Sequence, residues 1–267
     1  MRIERLAPGE EPLRGQWQEA LRAGWQSGAS AIKQEGETSV WRARLLGRDV
    51  IVKQRAGPAT MKELCGLDRE SRQWRGAQWL QAHGIPTARC LVLATTPPRP
   101  RCRWLVLEAI DGTTLLQLLA QNKLAPRQQH TLARALARQL AALTLAGRYN
   151  RDHKPSNLIV QNPGSPEPTI AIIDTVAIRK LRPWRRADLY AMFVSLVLEP
   201  MGCGCPPRRS LMMRVLVEHQ RELLRRIPNL LPQDDAVRRA ARHQDWMRIA
   251  GLIDAHGDPT PKVNPLA

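Results

Sequence analysis

The stretch at residues 149–160 reads YNRDHKPSNLIV, with an Asp, a Lys and an Asn inside six positions and an apolar run directly after them. A loop carboxylate such as Asp152 can accept the proton of a hydroxyl. Lys154 projects to the same side of an extended segment and can neutralise charge on a group in transfer. Asn157 offers a neutral amide oxygen, a hard ligand suited to Mg2+. A second carboxylate, Asp174, closes the run IAIID. Pairing of that run with NLIV would bring Asp174 to Asn157 and make a Mg2+ site whose other ligands are waters and phosphates. Lys53, inside DVIVKQ, can hold a phosphate from a strand; taken alone it reads better as an edge-strand lysine that blunts aggregation.

These residues need elements to position them. Residues 29–54 read as strands: SVWRARL alternates, Gly47-Arg48-Asp49 is a turn signal and VIVK follows. A helix is expected over 59–83, with Trp74, Ala77 and Leu80 on one face and Gly84 as its stop. CLVLAT and RWLVLEA read as two further strands around a proline-rich loop. After Gly112 the pattern turns helical. TTLLQLLAQ opens a helix, and Leu132, Leu136, Leu140 and Leu143 mark one face of a longer helix over 128–146. NLIV and IAIID form a hairpin, and helices resume at 186, with Leu189, Met192, Phe193 and Leu196 on one face and Met212 to Leu223 on another. The expected fold class is α+β with two lobes: a strand-rich N-terminal lobe over 1–110 and a mainly helical lobe over 111–267.

Forty-one Lys and Arg oppose 24 Asp and Glu, a formal charge of +17, which favours polyanionic partners. No specific nucleic-acid binding is expected, because the strands carry no interleaved aromatic platform and no DNA-reading motif is present. Five scattered cysteines do not make a disulfide framework and read as reduced thiols. No apolar leader opens the chain and no window has the roughly 20 apolar residues of a membrane-spanning helix. His219 and the methionines of the C-terminal half read as packing residues.

Together, VIVK, NRDHKPSN and IIDTV resemble the protein-kinase signature of a strand lysine, a catalytic loop and a metal-binding Asp, in the same order. The resemblance spans residues 30–200 and implies a bilobal protein-kinase-like fold with ATP and Mg2+ as cofactors. It implies Asp152 as base and Lys154 as a stabiliser of the moving phosphoryl. It places Lys53 on the α- and β-phosphates, Asn157 and Asp174 on the metal, and the backbone of Glu108 to Ile110 at the adenine. Asp188 maps onto the acid that supports the catalytic loop from a helix start. There are departures. Asn150 replaces the loop histidine, and Thr175-Val176 replaces Phe-Gly. Gly36 is the lone glycine of QEGETSVW, so phosphate cover would fall to the amides of Glu37 to Ser39. The acid that orients the strand lysine is replaced by Gln73, with Glu70 one turn earlier as the other candidate.

Only thirteen residues separate Asp174 from Asp188, too few for the platform on which protein kinases lay a peptide. That interval, TVAIRKLRPWRRA, carries Arg179, Lys180, Arg182, Arg185 and Arg186 and no acid, which suits an anionic acceptor. RQWRGAQWLQAHGIPTA, LTLAGRYNRDHKPSN, AIIDTVAIR and RPWRRADLYAMFVS are similar to the bacterial lipopolysaccharide core kinases, which phosphorylate heptose or Kdo sugars. That likeness implies ATP-dependent phosphorylation of a sugar hydroxyl on an anionic glycolipid. It also implies a cytoplasmic location at the inner face of the inner membrane, with peripheral contact to its anionic leaflet. The alternatives are a small-molecule or protein phosphotransferase of the same fold, or a catalytically weak pseudokinase.

Overall fold

The computed structural model describes residues 1–96, 101–122, 124–181, 186–228, 234–260 and 266, with Arg186 described for its backbone alone. The chain forms two compact units, Met1–Ile110 and Asp111–Ala267. The architecture is α+β, a strand-rich first unit followed by a mainly helical second one.

The first unit runs β1 (Arg2–Leu6), α1 (Arg14–Arg22), β2 (Ser30–Glu35), β3 (Thr38–Leu45), β4 (Arg48–Ala56), α2 (Met61–Leu64), α3 (Arg69–Ala82), β5 (Cys90–Thr95) and β6 (Cys102–Glu108). Its strands make one sheet in the order β1-β5-β6-β4-β3-β2, antiparallel throughout. The β3–β4 turn is Leu46-Gly47, one residue earlier than the sequence suggested, with φ of 50° and 74°. Two consecutive left-handed residues match the twist of the flanking strands. The expected 59–83 helix is broken into α2 and α3. Gly66 sits at φ 62°, and Asp68 caps α3 by accepting from the Ser71 amide at 3.0 Å.

β1 and α1 are additions to the sequence reading. Ile3 is the one buried residue of β1, and α1 buries Trp17 and Leu21, one turn apart, against the sheet. Trp25 stands edge-on to Trp41 and Trp104, with ring centroids 6.2 and 6.4 Å away. So few buried positions give no periodic signal; tertiary burial sets these elements.

The second unit runs β7 (Thr113–Thr114), α4 (Leu115–Gln121), α5 (Pro126–Leu145), β8 (Arg148–Asn150), a 3-10 turn (Pro155–Asn157), β9 (Leu158–Gln161), β10 (Thr169–Ile172), β11 (Ile178–Lys180), α6 (Arg186–Gly202), α7 (Arg209–Arg226) and α8 (Asp235–Asp254). β9 pairs with β10 and β7, and β8 pairs with β11. Leu132, Leu136, Leu140 and Leu143 of α5 are all buried, and α5 packs on α7. Gly112, at φ 148°, lies so close to β9 that a Cβ there would come within 2.5 Å of the Val160 carbonyl oxygen. A glycine is required for β7 to join that sheet. Among the described residues, no helix is long and apolar enough to cross a membrane.

Candidate active site

In the first unit, Lys53 lies on β4 between Val40 of β3 and Leu105 of β6. Its Nζ donates to Gln73 Oε1 at 2.9 Å, and Gln73 is buried on α3. Glu70, the other candidate partner, has its carboxyl on Arg55, whose Nε donates to Glu70 Oε1 at 3.3 Å. Burial, and then a hydrogen bond to Asp68, raises the Glu70 pKa against the pull of Arg55. The Lys53 contact to Gln73 is therefore to a neutral carboxamide, which leaves the ammonium charge uncancelled by that partner. Gly36 sits in the β2–β3 turn at φ 52°. Thr38 and Ser39 are the first residues of β3, paired to β2 and to β4, which commits their backbone to the sheet and removes them from the expected phosphate cover. At the end of β6, the Glu108 and Ala109 amides donate to the carbonyls of Arg89 and Asp49 at 2.9 and 3.0 Å. Ile110 ends the unit.

In the second unit, the loop from β8 to β9 holds Asp152, Lys154 and Asn157 within one hydrogen-bonded turn. Asn150 Oδ1 accepts from the Asp152 amide at 3.1 Å. Asn157 Nδ2 donates to both the carbonyl and the Oδ2 of Asp152, each at 3.1 Å. With the amide nitrogen so fixed, Asn157 Oδ1 is the atom turned away from Asp152. The register Ile172 to Leu158 continues into a bond from the Ile173 amide to the Asn157 carbonyl at 3.0 Å. Asp174 follows directly, two residues past β10, and its Oδ1 accepts from the Val176 amide at 3.1 Å. β9 and β10 thus bring Asn157 and Asp174 together, with Asp152 bonded to the first. Among the described residues, no cluster of three or more His, Cys, Asp or Glu exists to cage a metal. One carboxylate and one amide oxygen suit a Mg2+ that takes its remaining ligands from phosphate and water.

A residue the sequence reading missed holds this loop. Glu199 of α6 accepts from the Ser156 amide at 2.7 Å and the Ser156 hydroxyl at 2.6 Å, and its Oε1 lies 3.7 Å from Lys154 Nζ. Glu199 is the one charged residue between Asp188 and Arg208, an acid in an apolar helix. That isolation was the available signal. Asp188, half-buried in the first turn of α6, is the residue expected to give this support. Arg179 and Lys180 lie on β11, opposite Tyr149 and Arg148. Arg182 and Arg185 fall outside the described residues, as does the side chain of Arg186.

Two histidines packed into this unit make its stability depend on acid. Burial alone pushes His153 from 6.5 down to about 3 and His219 down to about 4. His219 is held edge-on to Phe193, with Thr144 Oγ1 3.4 Å from its Nε2. Both are neutral when folded, whereas the unfolded chain takes up protons below 6.5. Their contribution is complete above 6.5 and is lost as pH falls toward the folded values, at about 1.4 kcal/mol per pH unit for each. The melting temperature should therefore drop between pH 7 and pH 5, and His153→Gln should flatten that drop. A melting temperature constant over this range would contradict the sign.

Neither a protein-family model nor a curated protein matches the chain. Solved structures do. A 2.2 Å crystal structure of WbdD is 19% identical, with a TM-score of 0.46, over 83% of this chain and 50% of that one. A second structure, described as the bifunctional kinase-methyltransferase WbdD, is 19% identical at TM-score 0.46, over 82% and 47% of the two chains. WbdD with the kinase inhibitor LY294002 is 20% identical at TM-score 0.44, over 79% and 49%. This chain therefore spans about half the length of the solved structures to which it is similar.

Proposed function

We propose that the chain is an ATP-dependent phosphotransferase acting on a sugar hydroxyl of lipopolysaccharide inner core or a similar anionic glycolipid. The observation that carries this reading is the Asp152–Asn157 pair beside Asp174. A carboxylate able to receive a proton is bonded through the nitrogen of an amide whose oxygen, with a neighbouring carboxylate, fits a hard cation. In this reading Asn157 and Asp174 hold Mg2+, which when bound offsets charge on the ATP phosphates. Lys53 binds the α- and β-phosphates, steadied by Gln73. Adenine meets carbonyl oxygens near Glu108 or the Ile110 amide, since the amides of Glu108 and Ala109 are already bonded.

Asp152 orients the acceptor hydroxyl and receives its proton. The new bond forms between that oxygen and the γ-phosphorus as the bond to the bridging oxygen of ADP breaks. Lys154 places positive charge beside the loop, and Glu199 fixes its position. Positioning and electrostatics supply most of the rate gain. The basic β11 residues Arg179 and Lys180 favour an anionic acceptor, and a chain of +17 is drawn to the anionic inner face of a membrane. The test is transfer of radiolabel from γ-labelled ATP with Mg2+ to deacylated, dephosphorylated lipopolysaccharide core. Incorporation into the sugar is the expected result. A cationic aminoglycoside as preferred acceptor would overturn the acceptor class, and no transfer to any alcohol would overturn the activity.

A further inference from the structure

A second feature of the loop lies on its α6 side, in a cavity of about 380 Å3 lined by Arg151 and Lys154, by Ser195 and Glu199 of α6, and by His256 just after α8. That volume falls in the range of small-molecule sites, roughly 300–1,000 Å3. Arg151 and Lys154 flank Asp152 in the chain, so the cavity opens at the loop that carries the proposed base. α8 is fastened here by Tyr190, whose hydroxyl donates to Asp245 at 2.5 Å, and by Gln220, whose Nε2 donates to the same carboxylate at 3.4 Å. α8 packs on α6, and His256, two residues past its end, lines the cavity.

The lining has a definite charge logic. Both oxygens of Glu199 are already engaged by Ser156 and Lys154. Among the described residues, the Arg151 guanidinium, the Ser195 hydroxyl and the His256 ring have no hydrogen-bond or ion-pair partner. Two fixed cations, Arg151 and Lys154, thus face one carboxylate that is spent on the loop. Val194 and Leu198 add an apolar wall suited to the C–H face of a sugar ring. The basic residues of β11 do not line this cavity.

We propose that this cavity is the acceptor subsite for an acidic sugar. Arg151 and His256 bind a carboxylate or phosphate substituent of the sugar, and Ser195 bonds one of its hydroxyls. The inference rests on the phosphotransfer reading and adds to it the site and the charge of the acceptor. Charge-assisted contacts to an oxyanion are the strong ones here, so loss of either should be read mainly in acceptor affinity.

The experiment is saturation-transfer NMR on the full chain, with Kdo as the carboxylate probe, mannose 6-phosphate as the phosphate probe and methyl α-mannoside as the neutral control. At least one acidic sugar should bind, and the better of the two identifies the substituent. Arg151→Gln and His256→Gln should each weaken it about tenfold or more, while the thermal shift given by Mg·ATP stays at the wild-type value. Ser195→Ala, a smaller change, should weaken it by less and guards against a folding defect in the other two. Unchanged affinity in both Arg151→Gln and His256→Gln, equal binding of the neutral sugar, or no binding of either acidic probe would overturn the subsite. The phosphotransfer reading fails on a separate result: a wild-type protein that neither shifts with Mg·ATP nor transfers phosphate, whatever the sugars do.

Discussion

Asp174→Asn is expected to lower Mg2+-dependent phosphoryl transfer by roughly a thousandfold while the protein stays folded. The substitution keeps the shape of the side chain and the oxygen that accepts from the Val176 amide, so the turn after β10 is retained. What it removes is the negative charge. With Asn157 supplying a neutral oxygen, Asp174 is the one carboxylate of the pair brought together by β9 and β10. On the proposed reading, several kcal/mol of charge stabilisation depend on it. Turnover measured at saturating ATP, beside an unchanged far-UV spectrum and melting temperature, checks the claim. Ordinary turnover in this variant would mean that the metal is held elsewhere.

Lys53→Met should reduce kcat/KM by about a hundredfold to a thousandfold and also weaken the first unit. Two separate effects are combined in that variant. The ammonium that would meet the phosphates is gone, and the buried Gln73 Oε1 loses its 2.9 Å donor. Removing one partner of a buried hydrogen bond costs about 1–3 kcal/mol, whereas replacing both by apolar groups can be nearly neutral. Adding Gln73→Leu to Lys53→Met should therefore recover much of the melting temperature and none of the activity. Recovery of both would assign Lys53 a purely structural role. Lys53→Arg is no conservative control, because the planar fork of Arg does not reproduce a compact ammonium.

The sequence reached the local parts of this architecture and stopped where contacts become distant. Asp152, Lys154 and Asn157 sit on one turn because they are close in the chain, and the apolar runs on either side of 162–168 state the β9–β10 pairing directly. α5 is legible from its leucines alone, and the α+β order follows from strands giving way to helices after Gly112. By contrast, the Glu199–Ser156 bond joins residues 43 positions apart. Nothing about a Glu before a proline names its partner. The choice between Gln73 and Glu70 depended on which face of α3 meets β4, and on Arg55 standing on that strand as a competing cation for Glu70. The β1 strand and α1 helix are set by Ile3, Trp17 and Leu21 meeting a sheet made mostly of later residues, so no window of the first 30 residues announces them.

The account depends most on a nucleotide held with a divalent ion by Asn157 and Asp174. The direct measurement is the melting temperature with ATP alone, Mg2+ alone and both together, for the wild type and for Asp174→Asn. The account predicts a clear upward shift with ATP and Mg2+ together, little with either alone, and loss of the combined shift in the variant. A wild-type protein with no combined shift, or one whose shift survives in Asp174→Asn, would contradict it.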